Sequence, residues 1–169
     1  MLNLDSKEFI KTPDELHVID RVPNAVMRLN RAGYLAIIVS NQSGIARGLV
    51  TPDNLTAMNA KLIAAIAMAG GVVAGIYHCP HLPDEGCDCR KPSPGMLLSA
   101  ATDHNIDLAT SFMIGDKPAD IEAGARAGCR TVLALSGQSM NYDPAKFTSQ
   151  PDYICSDLAE AVDIILAQG

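Results

Sequence analysis

The sequence has no tryptophan, three phenylalanines and four tyrosines in 169 residues. With so little ring bulk, alanine, leucine, isoleucine and valine must fill any core. Apolar residues make up 48% of the chain, enough for one domain of ordinary size over residues 1–169. Positive charge is also in short supply. Thirteen Lys and Arg face nineteen Asp and Glu, for a net charge of −6. That balance excludes the basic stripe of a nucleic-acid binder. It leaves room for a small phosphorylated ligand, which a few local cations can hold. The opening residues MLNLDSKEFIK carry no apolar segment and no small-residue cleavage site, so they do not read as a secretory leader. Residues 62–83 carry no formal charge, but Gly70-Gly71 interrupts the run and His78, Pro80 and His81 end it. This predicts a buried helix, a turn and a strand in place of a membrane span. The expected setting is cytoplasmic, reducing and away from any membrane, with a monomer as the default. Clustered cysteines there indicate metal or catalysis before disulfides.

What is present is clear punctuation. Pro23 to Ala32 reads as a helix with Val26, Met27 and Leu29 inside and Gly33 as its stop. Tyr34 to Ser40 is a near-continuous apolar run, expected as a strand buried on both faces. Thr51-Pro52-Asp53 opens a long helix closed by Gly70, and Val72 to His78 is a second strand. Ser93-Pro94 repeats the helix-opening device, with the helix running to about His104. A strand at Ser111–Gly115, a helix at Pro118–Ala127, strands at Arg130–Leu135 and Asp152–Cys155, and a last helix capped by Ser156 complete the pattern. Residues 136–151 form the longest loop. Strand and helix alternate throughout, which predicts an α/β fold with a mostly parallel, Rossmann-like sheet and helices on both faces.

Ligands in such sheets sit beyond the carboxyl ends of strands. Three strand ends here are polar. In VSNQSGIARG, an apolar strand runs into Ser40, Asn41, Gln42 and Ser43. Hydroxyls, amides and free backbone N–H groups suit phosphate oxygens, and the same residues also suit an ordinary turn. In FMIGDKPAD, Asp116 and Lys117 follow the strand directly and Asp120 lies one helical turn on. A carboxylate at a strand end suits Mg²⁺, which takes hard oxygen ligands and shares them with phosphate. The alternative is helix capping, with Asp120 favouring the helix dipole. In CPHLPDEGCDCRKP, Cys79, His81, Cys87 and Cys89 form two short pairs joined by a small loop. Four N/S ligands in this pattern predict a structural zinc; C-x-C is not the redox C-x-x-C. The alternative is unrelated loop cysteines with a surface histidine. A zinc loop would also fix the Arg90-Lys91 pair directly after it. Cys129 and Cys155 read as small buried apolar residues.

Together, SNQSGIARG, CPH…CDCRKPSPGML and IGDKPADIEAGARAG resemble the haloacid dehalogenase superfamily of phosphatases, in the branch that carries a zinc loop. The resemblance extends from about Leu2 to Gly169. It implies that Ser40 holds the transferring phosphoryl group, helped by Asn41, Gln42 and Ser43. Lys91 would neutralise phosphoryl oxygens and Arg90 would help recognise substrate. Asp116 would bind Mg²⁺ with Lys117 nearby, and Asp5 would line the substrate site. Cys79, His81, Cys87 and Cys89 would hold Zn²⁺. The implied activity is Mg²⁺-dependent hydrolysis of a phosphorylated sugar, a heptose bisphosphate made for cell-envelope polysaccharide. Histidinol phosphate is the alternative substrate, and a non-catalytic zinc protein binding a phosphorylated ligand is the alternative role.

One family element is missing. The D-x-D-G-[TV] signature, whose first Asp is the nucleophile and whose second is the acid and base, does not occur in this sequence. In the family the words LNLD follow that signature; here Leu2-Asn3-Leu4-Asp5 follow Met1. The expectation is that Met1 is a misread valine codon, that strand and nucleophile lie upstream, and that the chain as written has no turnover. The family's first strand lies between those expected at 34–40 and 111–115. Its absence puts about eight to ten ladder hydrogen bonds at stake, at about 1 kcal/mol each, against a usual domain stability of about 5–15 kcal/mol.

Overall fold

Helix α1 (Arg21–Arg31) begins two residues ahead of Pro23. Its buried residues Val22, Ala25, Val26 and Leu29 recur at i, i+3, i+4 and i+7, a single apolar stripe. This computed structural model describes residues 1–3, 9–136 and 142–168. The chain divides into two compact units, Leu2–Gly86 and Cys87–Gly169, the second joined by Met1.

In the first unit, strand β1 (Ala36–Asn41) follows α1, helix α2 (Pro52–Met68) follows β1, and strand β2 (Val73–Cys79) follows α2. Thr51 caps α2 by accepting the Asn54 N–H at 3.1 Å, with Pro52 in the first turn where its missing N–H costs nothing. β1 and β2 pair in parallel, with Val39 opposite Tyr77, Ser40 opposite His78 and Asn41 opposite Cys79. The core gathers α1's stripe with Leu55, Met58, Leu62 and Ile66 of α2. Each such side chain, fully buried, is worth about 1.5–3 kcal/mol. The expectation that the first strand is buried on both faces is corrected. All six β1 residues are half-buried, and among the described residues β1 has one strand partner, β2. An edge strand cannot enclose both its faces and both its backbone edges.

The second unit holds helix α3 (Gly95–His104), strand β3 (Phe112–Gly115), helix α4 (Pro118–Ala127), strand β4 (Arg130–Ala134), strand β5 (Tyr153–Cys155) and helix α5 (Leu158–Leu166). Its sheet is parallel, in the order β3-β4-β5. The expected sheet is thus two parallel sheets, one per unit, because no described strand carries a continuous ladder from one to the other. Helices cover both faces of the three-stranded sheet. Val132 and Ala134 of β4 pack with Ala161 of α5. Thr131, on the opposite face, meets α4 at Gly124, where an added Cβ would come within 2.6 Å of Met113 and 2.9 Å of Thr131. The Asp152 carboxylate accepts from both the Thr131 N–H (2.7 Å) and its hydroxyl (2.8 Å), fixing the start of β5 beside β4.

Two caps differ from expectation. Asp157, not Ser156, caps α5 by accepting the Glu160 N–H at 3.0 Å. The Ser156 hydroxyl instead donates to the Glu160 carboxylate at 2.6 Å. Helix α3 starts at Gly95 with Pro94 at its cap position and no side-chain capping bond, so Ser93 does not cap it. The architecture is α/β with parallel sheets and flanking helices.

Candidate active site

At the carboxyl end of β1, the ladder continues one bond past the strand, with the Gln42 N–H donating to the Cys79 carbonyl at 2.7 Å. The chain then turns back, with Ile45 N–H to Gln42 O at 3.0 Å and Arg47 N–H to Ser43 O at 3.1 Å. Gln42 folds over the strand end and its amide Nε2 donates to Ser40 Oγ at 2.9 Å. Ser40, Asn41 and Gln42 are half-buried and Ser43 is buried. The segment is thus a turn in its backbone and a set of clustered hydroxyl and amide groups in its side chains. The two readings of the sequence here are compatible.

At the carboxyl end of β3, the organising group is one that sequence reasoning set aside as a helix-dipole residue. Asp120, in the first turn of α4, is buried. Its Oδ2 accepts the N–H groups of Asp116 (3.2 Å) and Lys117 (3.1 Å), satisfying donors the helix start leaves open. Its Oδ1 takes the Lys91 ammonium at 2.7 Å, with both side chains nearly out of solvent at 11% and 8% exposure. Gly115 makes this possible: a Cβ there would fall 2.1 Å from the Asp120 Cβ. The sequence signal was present in GDKPAD, but nothing local tied Asp120 to a lysine 29 positions earlier.

Asp116 presents a carboxylate of low exposure, 17%. A hard oxygen donor at a strand end fits what Mg²⁺ requires. Lys117 is exposed and Arg90 half-buried. The Arg90 carbonyl accepts the Ser93 N–H at 2.8 Å, and the Lys91–Pro92 peptide bond is cis. Asp5 lies outside the described residues. The hydroxyl oxygen of Ser136, just after β4, is shielded from solvent and makes no hydrogen bond among the described residues, a feature that no sequence pattern marked.

In the loop after β2, one ligand atom from each of Cys79, His81, Cys87 and Cys89 lies within 4.8 Å of all the others. Cys79 Sγ stands 3.5 Å from His81 Nδ1 and Cys89 Sγ 3.5 Å from Cys87 Sγ. Tetrahedral zinc with Zn–S bonds of about 2.3 Å spaces its sulfurs about 3.8 Å apart, so the donor set and its spacing fit a four-ligand metal cage.

A family model described as HAD-hydrolase-like matches residues 88–161. A D-glycero-beta-D-manno-heptose-1,7-bisphosphate 7-phosphatase of Bordetella bronchiseptica is 38% identical over 168 residues, covering 99% of this chain and 94% of the relative. The corresponding phosphatase of Pseudomonas aeruginosa is 40% identical over 166 residues, covering 98% and 93%. The chain belongs to the haloacid dehalogenase-like hydrolases, in the family of these phosphatases. The crystal structure of the D,D-heptose 1,7-bisphosphate phosphatase from B. bronchiseptica complexed with magnesium and phosphate matches with a TM-score of 0.92. That match covers all of this chain and 94% of that one.

In this haloacid dehalogenase-like hydrolase the remaining cysteines are inert by environment. Cys129 and Cys155 are buried, as expected. Desolvation pushes both thiols up to about 11, with the nearby charges of Glu160 and Asp157 adding to it at Cys155. At neutral pH both stay protonated and unreactive. Among the described residues, no helix is long and apolar enough to cross a membrane.

Proposed function

We propose that this protein is a Mg²⁺-dependent phosphatase that removes the 7-phosphate of D-glycero-D-manno-heptose 1,7-bisphosphate, a precursor of lipopolysaccharide. The observation that carries the reading is identity of 38–40% to phosphatases of that name over nearly the whole of both chains. The residues at the strand ends supply the chemistry. The Ser40 hydroxyl and the turn Asn41–Ser43 hold the phosphoryl group, Lys91 neutralises its oxygens, and Arg90, Lys117 and Asp5 take up the rest of the substrate. Phosphoryl transfer depends on positioning and charge neutralisation, which is what these residue types supply. Asp116 would hold Mg²⁺, which when bound supplies positive charge to the phosphoryl oxygens. Asp120 holds the Lys91 ammonium in place. The family's nucleophilic Asp is not among these 169 residues, so the roles assigned here are those of the groups that bind and polarise.

Cys79, His81, Cys87 and Cys89 would hold a structural Zn²⁺, ordering the loop that leads into Arg90 and Lys91. Three thiolates and an imidazole match zinc better than the hard oxygen-seeking cations. We take residues 1–169 as a single cytoplasmic phosphatase domain, working as a monomer on a small sugar phosphate.

The test is phosphate release by the protein purified from its own cells, with heptose 1,7-bisphosphate and histidinol phosphate assayed side by side. The expected result is Mg²⁺-dependent release of one phosphate per heptose bisphosphate, with the 1-phosphate retained and EDTA abolishing turnover. Lys91→Ala should lower kcat by on the order of 10²–10³, as for other preorganised charge stabilisers. Faster turnover of histidinol phosphate, or no release from any sugar phosphate, refutes the proposal.

A further inference from the structure

The turn after β1 holds three polar side chains in a row, but they do not play equivalent parts. Gln42 is locked at its backbone on both sides, with its N–H on the Cys79 carbonyl at 2.7 Å and its own carbonyl accepting the Ile45 N–H at 3.0 Å. Its side chain turns back along the strand, and Nε2 donates to Ser40 Oγ at 2.9 Å. An amide NH₂ can only donate. A serine hydroxyl has one proton to give and two lone pairs to accept with. Gln42 therefore occupies a lone pair of Ser40 and leaves its proton directed elsewhere. Accepting one hydrogen bond also strengthens a hydroxyl as a donor in its next. A phosphoryl oxygen carries no proton and needs a donor.

We infer that Gln42 is a positioning residue: it acts on the phosphoryl group through the Ser40 hydroxyl, by fixing that hydroxyl as a donor. This deepens the proposed function and rests on its assignment of Ser40 to the phosphoryl group. On this inference Gln42's share in holding the phosphoryl group, given above to the whole turn, is exerted through Ser40 and not by direct contact. The strand pairing supports the role. Ser40 lies opposite His78 and Asn41 opposite Cys79, so the Gln42 N–H bond to Cys79 is the last rung of the β1–β2 ladder. It anchors the amide on regular structure, not on a loose loop.

The experiment is a double-mutant cycle read by calorimetric titration of inorganic phosphate, with Mg²⁺ present, into the 169-residue protein. Ser40→Ala should weaken phosphate binding about 10- to 100-fold, the usual weight of a hydrogen bond to a charged group. Gln42→Ala should weaken it about 3- to 10-fold when Ser40 is present, the weight of a neutral hydrogen bond, and less than twofold in the Ser40→Ala background. Gln42→Glu keeps the size of the side chain but makes it an acceptor, so it takes the Ser40 proton. Its effect should exceed that of Gln42→Ala and shrink in the Ser40→Ala background. A purely structural role, or a direct contact with phosphate, weakens binding equally in both backgrounds and overturns the inference. So does a Gln42→Glu variant that binds as well as the parent. A parent protein that does not bind phosphate, or a Ser40→Ala variant that binds it unchanged, removes Ser40 from the phosphoryl site. The proposed role of that strand end then fails, and the inference with it.

Discussion

Asp120→Asn isolates the contribution of the Lys91–Asp120 pair. The substitution keeps shape and removes one charge. In the parent, Asp120 Oδ1 meets the Lys91 ammonium at 2.7 Å while Oδ2 takes two backbone N–H groups. Asparagine has one carbonyl oxygen and one NH₂. If the oxygen keeps the N–H groups, the NH₂ faces the ammonium, donor against donor. With Lys91 only 11% exposed, water cannot take over. Removing one partner of a buried pair costs about 3–5 kcal/mol, because the other charge loses its counter-charge at that contact. Asp120→Asn should lie in that range, a large part of a typical domain's 5–15 kcal/mol. Lys91→Met should cost about 1–3 kcal/mol, because the remaining carboxylate keeps two N–H donors. The decisive variant is the double, Lys91→Met with Asp120→Asn. It removes the ammonium that faces the new NH₂ and should be more stable than Asp120→Asn alone by at least about 1 kcal/mol. Urea denaturation at pH 7 measures all four proteins, with equal m-values as the check on two-state behaviour. A cost under 1 kcal/mol for Asp120→Asn, the weight of a surface ion pair, refutes the reasoning. So does a double variant that equals the sum of its parts.

Four further outcomes are expected. Gly115→Ala places a Cβ 2.1 Å from that of Asp120 and should cost about 1–3 kcal/mol as the carboxylate is pushed off Lys91; an unchanged urea midpoint contradicts this. Freshly purified protein should contain about one zinc per chain, the stoichiometry of one four-ligand cage, with Cys87→Ser or Cys89→Ser losing it; elemental analysis decides, and metal-free protein rejects the site. The thiols of Cys129 and Cys155 are raised in the fold from about 9 to about 11. The folded state therefore holds protons that the unfolded chain releases, so their stabilisation is complete below pH 9 and is lost as pH rises from about 9 to about 11. Denaturation series at pH 8 and 10.5 should show a smaller alkaline loss in a Cys129→Ala/Cys155→Ala double variant; an equal loss refutes the assignment. Ser136 buries a hydroxyl oxygen without a partner among the described residues, so Ser136→Ala should be neutral or stabilising by about 1 kcal/mol; a destabilised variant shows that the hydroxyl has a partner in solution.

Much of this protein is determined by local sequence. Thr51-Pro52 starts α2 where an N-cap hydroxyl and a φ-restricted proline say it must. Gly33 and Gly128, at φ of +88° and +84°, stop their helices because a left-handed residue ends the ladder at no steric cost. The alternation of apolar runs and capped helices specifies α/β. The Cys/His cluster was legible because its four side chains lie within eleven residues, where a short loop alone can bring them together. What local pattern could not decide depends on distant partners. β1 reads as a fully buried strand but is half-buried, with β2 as its one strand partner among the described residues, because pairing is a property of the sheet and not of the run. Ser156 and Asp157 are equally good caps on paper, and side-chain geometry chose Asp157 by giving Ser156 a carboxylate to bind. Asp120 reads as a dipole residue until Lys91, 29 positions away, is folded against it. Gln42 reads as one more polar turn residue until its amide is seen on Ser40. Composition and periodicity act over a few residues and set the elements. The burial of a charge is set only when the chain returns on itself, as it does between Lys91 and Asp120.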